Sequence, residues 1–139
     1  MTDGPSPHLS WTELACKDGT PYPKEWRVSR GVALGRVFER IRAAAGNRPL
    51  TVLSAYRTPT HNAKVGGAKR SQHVVGRALD LRPPKGLTVL QFFHLVRGQT
   101  EGSEIRGVGM YPTFVHMDIR PGERVIVWVG TRVWAEMPQ

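Results

Sequence analysis

The sequence predicts an α+β fold, with a mostly antiparallel sheet packed against two main helices. Three observations carry this. Two segments, residues 31–46 and 88–98, repeat apolar side chains at helical spacing. Five short runs, residues 51–56, 77–82, 105–110, 113–120 and 124–130, alternate or cluster apolar residues between turn-forming ones, as strands do. The 139 residues contain no repeat or heptad, and their length fits one domain.

The elements follow in order. Residues 1–10 (MTDGPSPHLS) are polar and Pro-containing and are expected to form a flexible N-terminal arm, leaving 11–139 as a single domain. Residues 11–30 space Trp11, Leu14, Tyr22, Trp26 and Val28 with polar and turn residues, which predicts a short helix followed by irregular chain. In GVALGRVFERIRAAAG (31–46), Leu34, Val37, Phe38, Ile41 and Ala45 share one helical face. Ser29 is the expected cap and Gly46 the expected stop. TVLSAY (51–56) reads as a strand, and residues 57–76 as a long loop without periodicity, which in a compact domain signals a functional segment. RALDLR (77–82) is a strand stopped by Pro83-Pro84. TVLQFFHLVRG (88–98) is the second helix, capped by Thr88, with Val89, Phe92, Phe93 and Val96 as its buried stripe. Ile105–Met110, Thr113–Arg120 and RVIVWVG (124–130) complete the sheet, and the Pro-Gly turn before residue 124 suggests a hairpin between the last two strands.

Composition narrows the function. Twenty Lys and Arg, fifteen of them Arg, face eleven Asp and Glu, for a net charge of +9. Such a chain suits a nucleic acid or another polyanion as partner. The cations are scattered and no nucleic-acid reader motif is present, so no specific nucleic acid is expected. One cysteine excludes an internal disulfide and a multi-cysteine zinc finger. The absence of an apolar h-region in residues 1–10, and of any run of about 18 apolar residues, predicts a soluble protein without signal peptide or membrane insertion.

The chemistry lies on two strands. In RALDLR, Leu79 and Leu81 point one way and Ala78 and Asp80 the other. In FVHMDIR, Val115, Met117 and Ile119 share a face, opposite His116, Asp118 and Arg120. Asp80 and His116 are therefore candidates for a common cleft, and the loop can bring His73 alongside. Two neutral imidazoles and one carboxylate form a ligand set for catalytic zinc with a fourth position open to water. The plainer alternative makes His73 a loop cap, His116 a donor to a buried carboxylate, and Asp80 the partner of an arginine.

SQHVVGRALD (71–80) resembles the Ser-x-His-x-x-Gly-x-Ala-x-Asp signature of the zinc D-Ala-D-Ala carboxypeptidase and endolysin peptidase family, the M15 peptidases, whose fold is shared with the hedgehog signalling domain. LSWTELACKDG (9–19), SAYRTPTHNAKVGGAKRSQH (54–73) and GVGMYPTFVHMDIR (107–120) resemble further blocks of that family in the same order. The resemblance implies a hedgehog/DD-peptidase-like fold, Zn2+ held by His73, Asp80 and His116, Ser71 beside the substrate, and Arg57 both binding substrate and stabilising the oxyanion. It implies hydrolysis of a D-amino-acid-containing bond in the peptide stems of peptidoglycan, by a carboxypeptidase or endolysin-type endopeptidase. The chain departs from the family at the base: where many members carry Glu there is Thr113, and where another branch carries His there is Tyr111. Asp118 replaces the second His of a His-x-His block; it can orient a ligand, act catalytically as base, or itself ligate.

The remaining polar candidates read as structural. His61 is a loop histidine facing solvent, His94 a helix-surface histidine, His8 part of the arm, and Cys16 a packed small residue without a readable partner arrangement. Gly66-Gly67 lacks the context of a phosphate loop. Trp128 and Trp134 are core or rim aromatics, and Trp134 can also stack on a sugar. A monomer is expected, working on the cell wall after release from the host cytoplasm to periplasm or wall, or as part of a virion. The alternative is a noncatalytic zinc-binding structural or wall-interaction domain of a phage or bacterial envelope protein.

Overall fold

The computed structural model describes residues 3–130. Its fold is α+β, with a mixed, open five-stranded sheet and two main helices. The elements are α1 (Trp11–Leu14), α2 (Val32–Ala44), β1 (Thr51–Ser54), α3 (Pro59–Lys64), β2 (Ala78–Arg82), α4 (Val89–Arg97), β3 (Gly107–Met110), β4 (Val115–Asp118) and β5 (Ile126–Val129). The strand order is β1-β2-β4-β3-β5. No helix among the described residues is long and apolar enough to cross a membrane. Trp134 lies outside the described residues.

Helix starts follow local chemistry. Ser10 and Glu13 form a capping box on α1, and Thr88 and Gln91 form one on α4. Gly46 sits at φ +79° past the end of α2, a conformation glycine adopts without steric cost. Ser29 is not a cap. Helical turns at Lys24–Trp26 and Arg27–Gly31 run straight into α2, so no free N-terminus exists at residue 29 to be capped. The apolar face of α2 (Leu34, Val37, Phe38, Ile41) and that of α4 (Phe92, Phe93, Val96) join Leu79, Leu81, Val108, Val115 and Met117 of the sheet in one buried cluster.

Two further sequence expectations change. Residues 3–10 are packed rather than a loose arm: Leu9 is fully buried, Ser6 bridges to Leu9, and the Trp11 N–H donates to the Asp3 carbonyl at 3.0 Å. His8 is tied to Glu39 of α2 at 2.7 Å. A leucine that fills a gap in the core outweighs the flexibility of its polar neighbours. The expected hairpin between the last two strands is also absent. β4 is central, paired antiparallel with β2 on one side and β3 on the other, so it has no free edge. The chain crosses over, and β5 pairs in parallel with β3, Gly109 opposite Trp128.

Candidate metal centre

The antiparallel pairing of β2 and β4 sets Asp80 directly opposite His116. Because strand side chains alternate, both lie on the face opposite the leucines and valines that meet the helices. β1 adds Ser54 beside Asp80, after an irregularity in the register between Val52 and Ser54.

His73 comes from the loop. Gly76, at φ +69°, turns the chain towards β2; its carbonyl accepts the Tyr22 hydroxyl at 2.7 Å, and the Val75 carbonyl accepts from Arg30 at 2.9 Å. Burial pushes the Tyr22 phenol well above its ordinary pKa, so it stays a donor. The His73 main chain is held at both ends: its carbonyl accepts from the Arg57 N–H at 3.1 Å, and its N–H donates to the Ser71 hydroxyl at 3.1 Å.

Three buried side chains converge. His73 Nε2 lies 3.1 Å and His116 Nδ1 2.9 Å from the same Asp80 oxygen, and the three ligand atoms lie within 4.8 Å of one another. The other ring nitrogens decide what this means. His73 Nδ1 faces the Ala55 carbonyl at 2.6 Å, an acceptor only, so that nitrogen carries the proton. His116 Nε2 faces the Asp118 carboxylate at 2.8 Å and carries its proton for the same reason. In the neutral imidazoles, Nε2 of His73 and Nδ1 of His116 are then bare lone pairs aimed at a carboxylate oxygen. Three acceptors meeting without a donor call for a cation, and two imidazole nitrogens with one carboxylate oxygen are the donors that zinc takes.

The electrostatics agree. Burial opposes ionisation of Asp80, but without a metal ion protons can take the cation's place, and hydrogen bonds from His116 and His73 then outweigh burial and hold the carboxyl well below the usual range. Burial also opposes charge on His116, yet Asp118 and Asp80 raise its pKa, so this spot favours positive charge. Asp118 is fully buried. Its oxygens accept from Arg120 Nε at 2.8 Å and Nη2 at 2.7 Å, besides His116. Burial works against its ionisation, and Arg120 and then His116 overcome this and hold it well below the usual range.

The cluster opens into a cavity of about 360 Å³ whose wall includes Arg57, Ser71, Tyr111, Phe114, Arg120 and Trp128. The Arg57 guanidinium is fixed by Ser54 (3.1 Å), Asn62 (3.2 Å) and Asp80 (3.4 Å). Trp128 donates to the Tyr111 hydroxyl at 3.0 Å and stands 5.3 Å from the His116 ring, centre to centre. Gly109 makes room for it: a Cβ there would fall 2.4 Å from the indole.

The structure thus brings His73, Asp80, His116, Arg57 and Ser71 to one cavity. Asp118 sits behind His116, on the side of the ring away from the other ligand atoms, and does not line the cavity. Thr113 is exposed and outside the cavity, whereas Tyr111 lines it. Among the other histidines, His94 is exposed. Sequence reasoning missed Ser54 and Asn62, which hold Arg57, and the clamp of Arg120 on Asp118. The face shared by Asp118 and Arg120 was a signal for the clamp. Asn62 had one too: Thr58-Pro59, an N-cap followed by Pro at the first helical position, announces α3 inside the supposed loop.

A buried two-histidine, one-carboxylate cluster opening into a cavity is a candidate metal-binding triad. The chain belongs to the Peptidase M15 family, whose model matches residues 7–118. It is 44% identical over 44 residues to a zinc D-Ala-D-Ala carboxypeptidase of Streptomyces albus G, covering 32% of this chain and 17% of that protein. It is 34% identical over 91 residues to a probable peptidoglycan L,D-endopeptidase, MepK, of Haemophilus influenzae, covering 60% of this chain and 45% of that protein. The chain therefore spans less than half the length of these relatives.

Proposed function

We propose that the protein is a zinc peptidase that hydrolyses a D-amino-acid-containing peptide bond in the stems of peptidoglycan. The observation that carries this is the convergence of three proton-free donors, His73 Nε2, Asp80 Oδ1 and His116 Nδ1, beside an open cavity. Bound zinc supplies Lewis acidity that polarises a carbonyl and makes water nucleophilic near neutral pH. The names of the relatives support the wall peptide as substrate class.

The chain's own residues do the rest. His73, Asp80 and His116 hold the ion. Arg57, kept in place by Ser54, Asn62 and Asp80, donates to the carbonyl oxygen as negative charge grows on it. Ser71 accepts from the His73 main chain, so its own hydroxyl proton is free to donate to bound peptide. Tyr111 accepts from Trp128 and keeps its proton for the same purpose. Asp118 is a positioning residue, fixing the tautomer of His116 rather than taking a proton from water. The excess of cations draws the module to the polyanionic envelope, reached as a released lysin or as part of a virion.

One observation favours a second reading, a noncatalytic zinc-binding wall module: among the described residues Asp80 is the one carboxylate that lines the cavity. Incubation of the zinc-loaded protein with purified peptidoglycan separates the two. Release of new amino groups, abolished in His116→Ala, supports the peptidase. Binding to the wall without release across pH 5–9 sinks it.

A further inference from the structure

A second group of metal-type donors lies away from this cavity. Cys16, Asp18 and His61 each offer one ligand atom, all within 4.8 Å of one another. They come from two pieces of chain that the fold brings together. The first is a tight turn: the Cys16 N–H donates to the Thr20 carbonyl at 2.9 Å, and the Gly19 N–H to the Cys16 carbonyl at 3.0 Å. Gly19 sits at φ +98°, as such a turn requires, and the turn sets Cys16 and Asp18 on one side. The second piece is α3. Its N-cap hydroxyl, Thr58 Oγ1, donates to Asp18 at 2.9 Å and accepts from the His61 N–H at 3.1 Å.

The chemistry of the set is specific. Hydrogen bonds from the Thr20 main chain, then from the Thr20 and Thr58 hydroxyls and the Cys16 thiol, hold the Asp18 carboxyl well below its usual pKa, so it is charged. The burial is graded: Cys16 is buried, His61 half-buried and Asp18 exposed, which leaves an approach from solvent and room for a water ligand. With Cys16 only 3% exposed, attack by its sulfur on a polymer is sterically blocked, whereas an ion can enter. A tetrahedral zinc ion wants ligand atoms about 3.3–3.8 Å apart, and these three lie within 4.8 Å of one another.

We propose that Cys16, Asp18 and His61 bind a second, thiolate-ligated transition-metal ion of the zinc type, which clamps the 16–20 turn to α3. On binding, the thiol loses its proton to solvent and sulfur bonds to the ion. The clamp has a consequence for the cavity. α3 carries Asn62, which accepts from Arg57 and donates to the Ala68 carbonyl at 2.9 Å, so the ion braces the segment that positions Arg57.

The test uses cobalt. The chain has a single cysteine, and the His73–Asp80–His116 cluster contains no thiolate. A near-ultraviolet thiolate-to-cobalt charge-transfer band therefore reports this site alone. Metal-stripped protein titrated with Co2+ should develop the band, and His116→Ala should retain it. Cys16→Ser should lose it, and His61→Ala should weaken Co2+ binding read at the band by at least about tenfold. Should Cys16→Ser fail to fold, His61→Ala, a change at a half-buried position, decides by itself. Absence of the band in the parent protein at excess Co2+ overturns the proposal. So does a band whose titration is unchanged in His61→Ala, which would mark chance binding at the thiol.

Discussion

Asp118→Asn distinguishes a positioning role from a catalytic one. The substitution keeps the shape of a fully buried side chain but removes its charge and turns one oxygen into a donor. Asp118 now accepts from His116 Nε2 at 2.8 Å and from Arg120 at 2.8 and 2.7 Å. His116 Nε2 and Arg120 Nη2 share Oδ2, whereas Arg120 Nε and its main-chain N–H take Oδ1, so an amide presents its NH2 to one of these two sets. With the amide oxygen at the Oδ1 place, His116 faces a donor, and its imidazole is driven towards the tautomer with the proton on Nδ1, the ligand nitrogen. Loss of a group that orients a metal-binding histidine typically costs about 10–100-fold in affinity, or about 1.4–2.8 kcal/mol. Arg120 is partly exposed and can turn to water, so the cost to folding is smaller than for a fully enclosed pair, about 1–3 kcal/mol. Zinc affinity would be read by competition with a chromophoric chelator, and folding by urea denaturation in excess chelator. Unchanged zinc affinity would refute the reasoning. Unchanged affinity with hydrolysis lost would return Asp118 to the role of base.

Other predictions follow from the same contacts. The folded-state pKa of Asp118 lies below its ordinary 3.8, so its contribution to stability is complete above that value and is lost as pH falls through and below it. In chelator, acid denaturation of the parent protein should therefore be steeper below about pH 4 than that of Asp118→Asn, and parallel curves would contradict the assignment. Gly109→Ala forces a methyl into the Trp128 indole and should cost about 1–3 kcal/mol in urea denaturation, with altered Trp fluorescence as the ring moves off His116. Leu9→Ala should cost about 2–5 kcal/mol, since Leu9 is fully buried; a neutral result would mean that residues 3–10 do not belong to the core.

Much of the site was legible because strand geometry is local. Asp80 and His116 stand at alternating positions among apolar residues, so their shared polar face follows from a period of two. Helix α4 was legible from Thr88 to Gly98 for the same kind of reason, with cap, stripe and stop all within eleven residues. The short helix α3 was missed although Thr58-Pro59 announces it, because six residues are too few for periodicity to speak. The sequence left Asp118 open between orienting, proton transfer and ligation, because the choice turns on which atoms surround it, and its contacts with His116 and Arg120 are set by the fold.

Spacing, caps and turn glycines come from interactions between residues a few places apart, and these delivered the α+β class, both main helices and the facing polar groups. Partner choice is a different kind of quantity. The Arg124–Gly130 run could have paired with β4 through the Pro-Gly turn. It lies instead parallel to β3, because both edges of β4 are taken, one by β3 just before it in the chain and the other by the distant β2. The same holds for Leu9, placed in the core by a gap that distant elements leave, and for Cys16 and Asp18, which His61 meets only when the 16–20 turn packs beside α3. Such outcomes depend on competition among all the surfaces of the folded chain, and tertiary packing alone decides them.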